Sequence, residues 1–127
     1  MNKLLIVGMG GFLGSVLRYL MSGYVQKWSE SIDFPYGTLA VNLAGCLLIG
    51  MLTRMDEMRH VLSSETRLLI MIGLLGAFTT YSTFSNETIN LINDRRFISA
   101  FTNVAIHIIF GLAAVMIGRT TTYLIWR

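Results

Sequence analysis

Apolar positions gather into four runs along the chain, at about residues 4–25, 37–53, 68–92 and 97–118, with polar stretches between them. A helix of about 20 apolar residues crosses the hydrocarbon of a bilayer. Four crossings are therefore predicted, the second a short one. The third run is unlike the others. Leu68 to Ile72 on one side and Ile89, Leu91 and Ile92 on the other are apolar, but the centre, Gly73-Leu74-Leu75-Gly76-Ala77-Phe78-Thr79-Thr80-Tyr81-Ser82-Thr83-Phe84-Ser85-Asn86-Glu87, is rich in hydroxyls and β-branched residues. Such residues are weak helix formers, so the spacing predicts a break near the middle of this crossing. Irregular backbone at membrane depth survives only where it is buried in protein or lines a polar cavity. The two half-helices would then aim opposite dipole ends at a midplane ion or substrate site. The alternative is a kinked structural helix whose hydroxyls bond back to their own carbonyls.

Composition agrees with a membrane domain over residues 1–127. Of 127 residues, 54% are hydrophobic and 13% charged, and the mean hydropathy is +0.61, outside the range of soluble domains. One four-span bundle of this size encloses little of a polar site, which points to association with a second copy or a similar chain. The net charge of +3 does not indicate nucleic acid, because Lys and Arg sit at the ends of the apolar runs, as a topology signal does. Lys3, Arg54, Arg59, Arg67, Arg119 and Arg127 lie on the side of the termini, against Lys27, Arg95 and Arg96 on the other. This bias toward cytoplasmic termini is small and leaves insertion in both orientations open. The chain is expected to be a multi-pass protein of the cell (inner or plasma) membrane. Cys46 is the single cysteine, so no intrachain disulfide is available. Arg18 within the first run, with no small-residue cleavage pattern before it, indicates a retained helix rather than a signal peptide.

Several residues within the runs carry chemistry. Gly10 and Gly14 form a GxxxG pair, a face suited to close helix packing. Arg18 must find a partner or an aqueous vestibule, or snorkel to the interface, since an arginine near mid-membrane costs about 2.5–3.5 kcal/mol on insertion scales. Asn42, the one amide of the second run, either bonds across a helix interface or turns its donors into a pore. Asn103, His107 and Gly111 share one face of the fourth run. Tyr24, Trp28 and Tyr36, and at the other end Tyr123 and Trp126, read as interface anchors.

Three segments, Gly10-Gly11-Phe12-Leu13-Gly14-Ser15-Val16-Leu17-Arg18-Tyr19, Gly37-Thr38-Leu39-Ala40-Val41-Asn42-Leu43 and Gly76-Ala77-Phe78-Thr79-Thr80-Tyr81-Ser82-Thr83-Phe84-Ser85, closely resemble the signatures of the Fluc/CrcB fluoride-channel family. The resemblance covers essentially the whole chain. It implies an all-α membrane protein that forms an antiparallel, dual-topology dimer with a second copy or a homologous subunit. It further implies two fluoride pores along the interface and a central structural sodium ion. Carried onto this sequence, the backbone carbonyls of Gly76 and Thr79 would hold sodium. Asn42, Tyr81, Ser82, Thr83, Phe84, Glu87 and His107 would follow the fluoride pathway, and Arg18 would stand at the vestibule. Fluoride is small and strongly hydrated, so hydroxyl and amide donors and the positive edges of aromatic rings must replace its water. Tyr81 stands where the family has the first of two phenylalanines, and Gly111 and Val115 stand where fourth-helix hydroxyls would be sought.

The implied activity is passive, fluoride-selective export that lowers cytoplasmic fluoride. The competing class is a small multidrug-type, proton-coupled exporter, which needs a membrane carboxylate to exchange protons. Glu87 is its one candidate. No enzyme is expected, since the sequence offers neither a nucleophile and base pair nor a phosphate loop.

Overall fold

The computed structural model describes residues 2–127, and every regular element in that range is helical. Helix α1 spans Lys3–Ser29 and α2 spans Tyr36–Arg59. The third crossing is composite. A turn, α3, over Ser64–Arg67 leads into a π-helical stretch over Leu68–Leu75 and a last short turn, α4, over Gly76–Phe78. After two extended residues, α5 takes over from Tyr81–Asn93, and α6 runs from Phe97–Trp126. The four crossings Lys3–Ser29, Tyr36–Arg59, Ser64–Asn93 and Phe97–Trp126 are long and apolar enough to traverse a bilayer. The chain is a multi-pass membrane protein.

Local chemistry sets the helix ends. The Asn2 side chain accepts from the Leu4 N–H at 3.0 Å and caps α1, supplying one of the acceptors that the first turn lacks. Glu30 and His60 close α1 and α2 in the left-handed conformation. Helix α2 continues through Arg54–Arg59, beyond the end of the second apolar run, because their charges find partners. Arg54 and Glu57 pair one turn apart at 3.3 Å, Arg119 of α6 reaches Glu57 at 2.8 Å, and Asp56 pairs with Arg67 of α3. Gln26 organises the α1–α2 connection. Its amide donates to the Ser31 and Phe34 carbonyls while its oxygen accepts the Gly37 N–H at 3.0 Å.

Small residues decide which helices touch. Gly10 and Gly14 put α1 directly against the main chain of the π-helical stretch: a β-carbon at Gly10 would strike the Leu69 carbonyl oxygen, and one at Gly14 the Leu74 carbonyl oxygen. The GxxxG face of the sequence thus docks on the first half of the third crossing. Helices α2 and α6 form the most extensive contact of the fold. The buried cluster is small, centred on Val41, Leu75 and Phe78. Large apolar side chains such as Leu4, Phe12, Phe101 and Leu112 point outward, as expected where lipid replaces water as the solvent.

Candidate functional site

The third crossing breaks at Thr79 and Thr80, both extended, with φ/ψ of −88°/159° and −150°/117°. Hydroxyls produce the break in two ways. The Leu75 carbonyl accepts both the Thr79 N–H and the Thr79 hydroxyl, each at 3.1 Å, which ends α4. The Thr80 hydroxyl accepts the Thr83 N–H at 3.2 Å and so caps the start of α5. The remaining groups of Thr80 are taken from across the bundle. Asn42 of α2 accepts the Thr80 N–H on Oδ1 at 2.8 Å and donates from Nδ2 to the Thr80 carbonyl at 3.0 Å.

These contacts change the acceptors available at the break. In a continuous helix the Thr80 N–H would serve the Gly76 carbonyl and the Thr83 N–H the Thr79 carbonyl. Both donors are diverted to side-chain oxygens, so the Gly76 and Thr79 carbonyls lose their helical partners. Gly76 is exposed, and space for a β-carbon there is open. Main-chain oxygens released in this way suit a hard cation, and in hydrocarbon an unpaired carbonyl is costly without such a ligand. The chemistry of the two carbonyls is thus compatible with a hard cation such as sodium.

Gly76 and Thr79 line a cavity of about 760 Å³, together with Asn42, Tyr81, Phe84 and His107. The Phe84 ring lies 4.4 Å from the His107 ring and 5.6 Å from Tyr81, centroid to centroid. Tyr81 is 80% exposed, so its ring forms part of the open wall. His107 Nδ1 donates to the Asn103 carbonyl at 2.9 Å, leaving Nε2 buried without a partner among the described residues. A second, smaller cavity of about 230 Å³ collects Ser15, Arg18, Thr38 and Thr83, and Thr80 lines both spaces. Ser82 and Glu87 belong to the walls of neither. Ser82 is exposed beside the Thr80 hydroxyl, and Glu87 is half-buried, its Oε1 accepting the Thr38 hydroxyl at 2.7 Å.

Three polar residues absent from the sequence-based pathway belong to this framework. Thr38 holds Glu87. Thr88 accepts from Asn103 Nδ2 at 2.9 Å and donates to the Phe84 carbonyl at 2.8 Å. Asn103 is wholly buried. The only signal for the last pair lies in the shared face of Asn103 and His107, since nothing in the spacing indicates which residue of the third crossing they meet.

A model of the family described as CrcB-like protein, Camphor Resistance (CrcB), matches residues 5–119. The chain belongs to the CrcB family. Relatives similar to it include the Fluoride-specific ion channel FluC 1 of Methanosarcina acetivorans, 42% identical over 94% of this chain and 89% of the relative. The Fluoride-specific ion channel FluC of Clostridium novyi is 43% identical over 94% of both chains. That of Elusimicrobium minutum is 44% identical over 93% of this chain and 91% of the relative. For this CrcB chain the matched region includes the glycine face of α1, Asn42 and the entire broken crossing.

Proposed function

We propose that this chain is one subunit of a passive fluoride-selective channel that lowers cytoplasmic fluoride by export. The similar proteins named above are called fluoride-specific ion channels, and the geometry suits that chemistry. The observation that carries the reading is one cavity wall in which an amide, hydroxyls and an aromatic pair flank a main-chain break. Fluoride leaves water only where donors and electropositive ring edges stand in for its hydration shell. Asn42, Tyr81, Phe84 and His107 supply such groups along the larger cavity, Thr83 and Arg18 supply them at the smaller one, and Ser82 and Glu87 stand behind the walls, on the Thr80 and Thr38 hydroxyls.

The cavity is open on the side of Gly76 and Tyr81. A second copy or a homologous subunit, inverted in the membrane, closes it, in keeping with the small charge bias between the two ends. In that assembly the Gly76 and Thr79 carbonyls of both subunits would hold a structural sodium ion, which would supply positive charge at the interface.

The test is efflux from liposomes containing the purified chain. Fluoride efflux with no comparable chloride efflux is expected, and equal rates for the two anions overturn the reading. Phe84→Ile is expected to abolish fluoride efflux while the assembled species keeps its size on gel filtration; wild-type efflux from this variant removes the ring from the pathway. Proton-driven uptake of a lipophilic cation, with no fluoride flux, would instead support the multidrug-type exporter.

A further inference from the structure

Asn42 spends its side chain on the main chain of a residue 38 positions away. Its oxygen and its amide nitrogen engage the N–H and the carbonyl of the same residue, Thr80, at 2.8 and 3.0 Å. A side chain whose sole task was to donate into a pore would have no need of its oxygen. Here the oxygen holds the one N–H that a regular helix would return to the Gly76 carbonyl. The neighbouring donors do not replace it, because the Thr79 N–H and hydroxyl both go to Leu75. The state of the Gly76 carbonyl therefore depends on a residue of α2, an element that contributes no carbonyl to the proposed cation site.

We infer that Asn42 is a positioning residue for that site: by retaining the Thr80 N–H it prevents the break from closing back into helix and keeps the Gly76 carbonyl free for the cation. This rests on the sodium reading given above. Without the Asn42 oxygen the Thr80 N–H is left without its acceptor, and turning Thr79 from its extended ψ of 159° to helical values gives it the Gly76 carbonyl instead, which withdraws a cation ligand. Asn42 thereby links the helix that carries pore-lining groups to the geometry of the ion site.

The experiment measures the sodium concentration that gives half-maximal protection of the purified chain against thermal dissociation in detergent, with potassium keeping the ionic strength constant. Loss of thermal stability alone would follow from any structural defect; a shifted sodium midpoint would not. Asn42→Leu conserves volume and removes the acceptor, and it is expected to raise the midpoint by about tenfold or more, the equivalent of about 1.4 kcal/mol. Asn42→Ala, which also removes the acceptor of the Thr80 N–H, is expected to raise the midpoint likewise.

A wild-type chain indifferent to sodium overturns the sodium reading and the inference together. A responsive wild type with an unshifted Asn42→Leu midpoint overturns the inference alone. If Asn42→Leu does not fold, Asn42→Ala decides: a raised sodium midpoint supports the positioning role and an unshifted one refutes it.

Discussion

Gly118 and Gly111 lie two turns apart on α6, and the same substitution at each should move stability in opposite directions. A β-carbon at Gly118 would fall on the Leu47 carbonyl oxygen of α2, with the Met51 amide nitrogen at 2.9 Å and Met51 Cγ at 3.2 Å. The Leu47 and Met51 main-chain atoms cannot rotate away as a side chain could. At Gly111 the nearest foreign atom is Cys46 Sγ at 3.7 Å, an ordinary van der Waals contact. Replacing glycine by alanine within a helix gains roughly 0.5–1 kcal/mol from the smaller conformational freedom of the unfolded chain. For Gly111→Ala that gain is expected intact. For Gly118→Ala it is opposed by an overpacking cost of roughly 1–3 kcal/mol, so the two variants should differ by that cost. Equilibrium unfolding in mixed micelles, followed by circular dichroism at increasing fractions of denaturing detergent, measures the difference directly. If Gly118→Ala unfolds at or above the detergent fraction needed for Gly111→Ala, the seam between α2 and α6 is not the rigid main-chain contact described above.

Two further perturbations address buried polar groups. Thr88→Val removes the partner that the Asn103 amide nitrogen has among the described residues while keeping shape, and it should cost roughly 1–3 kcal/mol, the penalty for a buried donor left unsatisfied; the unfolding assay should register it together with reduced fluoride efflux, because the Thr88 hydroxyl also holds the Phe84 carbonyl. Asp56→Ala strips both Arg67 and the Leu62 N–H of their acceptor, with an expected loss of roughly 1–3 kcal/mol that persists in high salt, since the Asp56 side chain is 8% exposed. Arg119→Ala, which loses only the exposed pair with Glu57, should be indistinguishable from wild type in high salt, where surface ion pairs are screened.

The four crossings and the site of the break were legible because each rests on a local property. Apolar length marks the crossings, and the hydroxyl run from Thr79 to Ser85 marks the place where helix competes poorly with side-chain capping. The Gly10–Gly14 pair announced a close contact, though not that its partner is the π-helical stretch. What local pattern could not supply was pairing at a distance. Asn42 was readable as either a cross-helix bond or a pore donor, and the choice depends on Thr80, 38 residues on. The resemblance put Glu87 on the fluoride pathway, but nothing local indicates its tie to Thr38, 49 residues earlier. The length of α2 escaped the hydropathy pattern for a related reason: Arg54–Arg59 stay helical through partners on α3 and α6 that the pattern does not contain.

The two halves of the third crossing answer to different neighbours. The π-helical stretch and α4 lie on α1, whereas α5 lies on α6. Thr79 and Thr80 are thus the joint between two separately anchored bodies, and any change in the relative tilt of the first and last helices is absorbed there. A bilayer thinner or thicker than the native one alters helix tilt before it alters helix structure. Lipid chain length should therefore act on this protein at its midpoint, through the spacing of a few main-chain oxygens, rather than at the membrane surface where the mismatch arises.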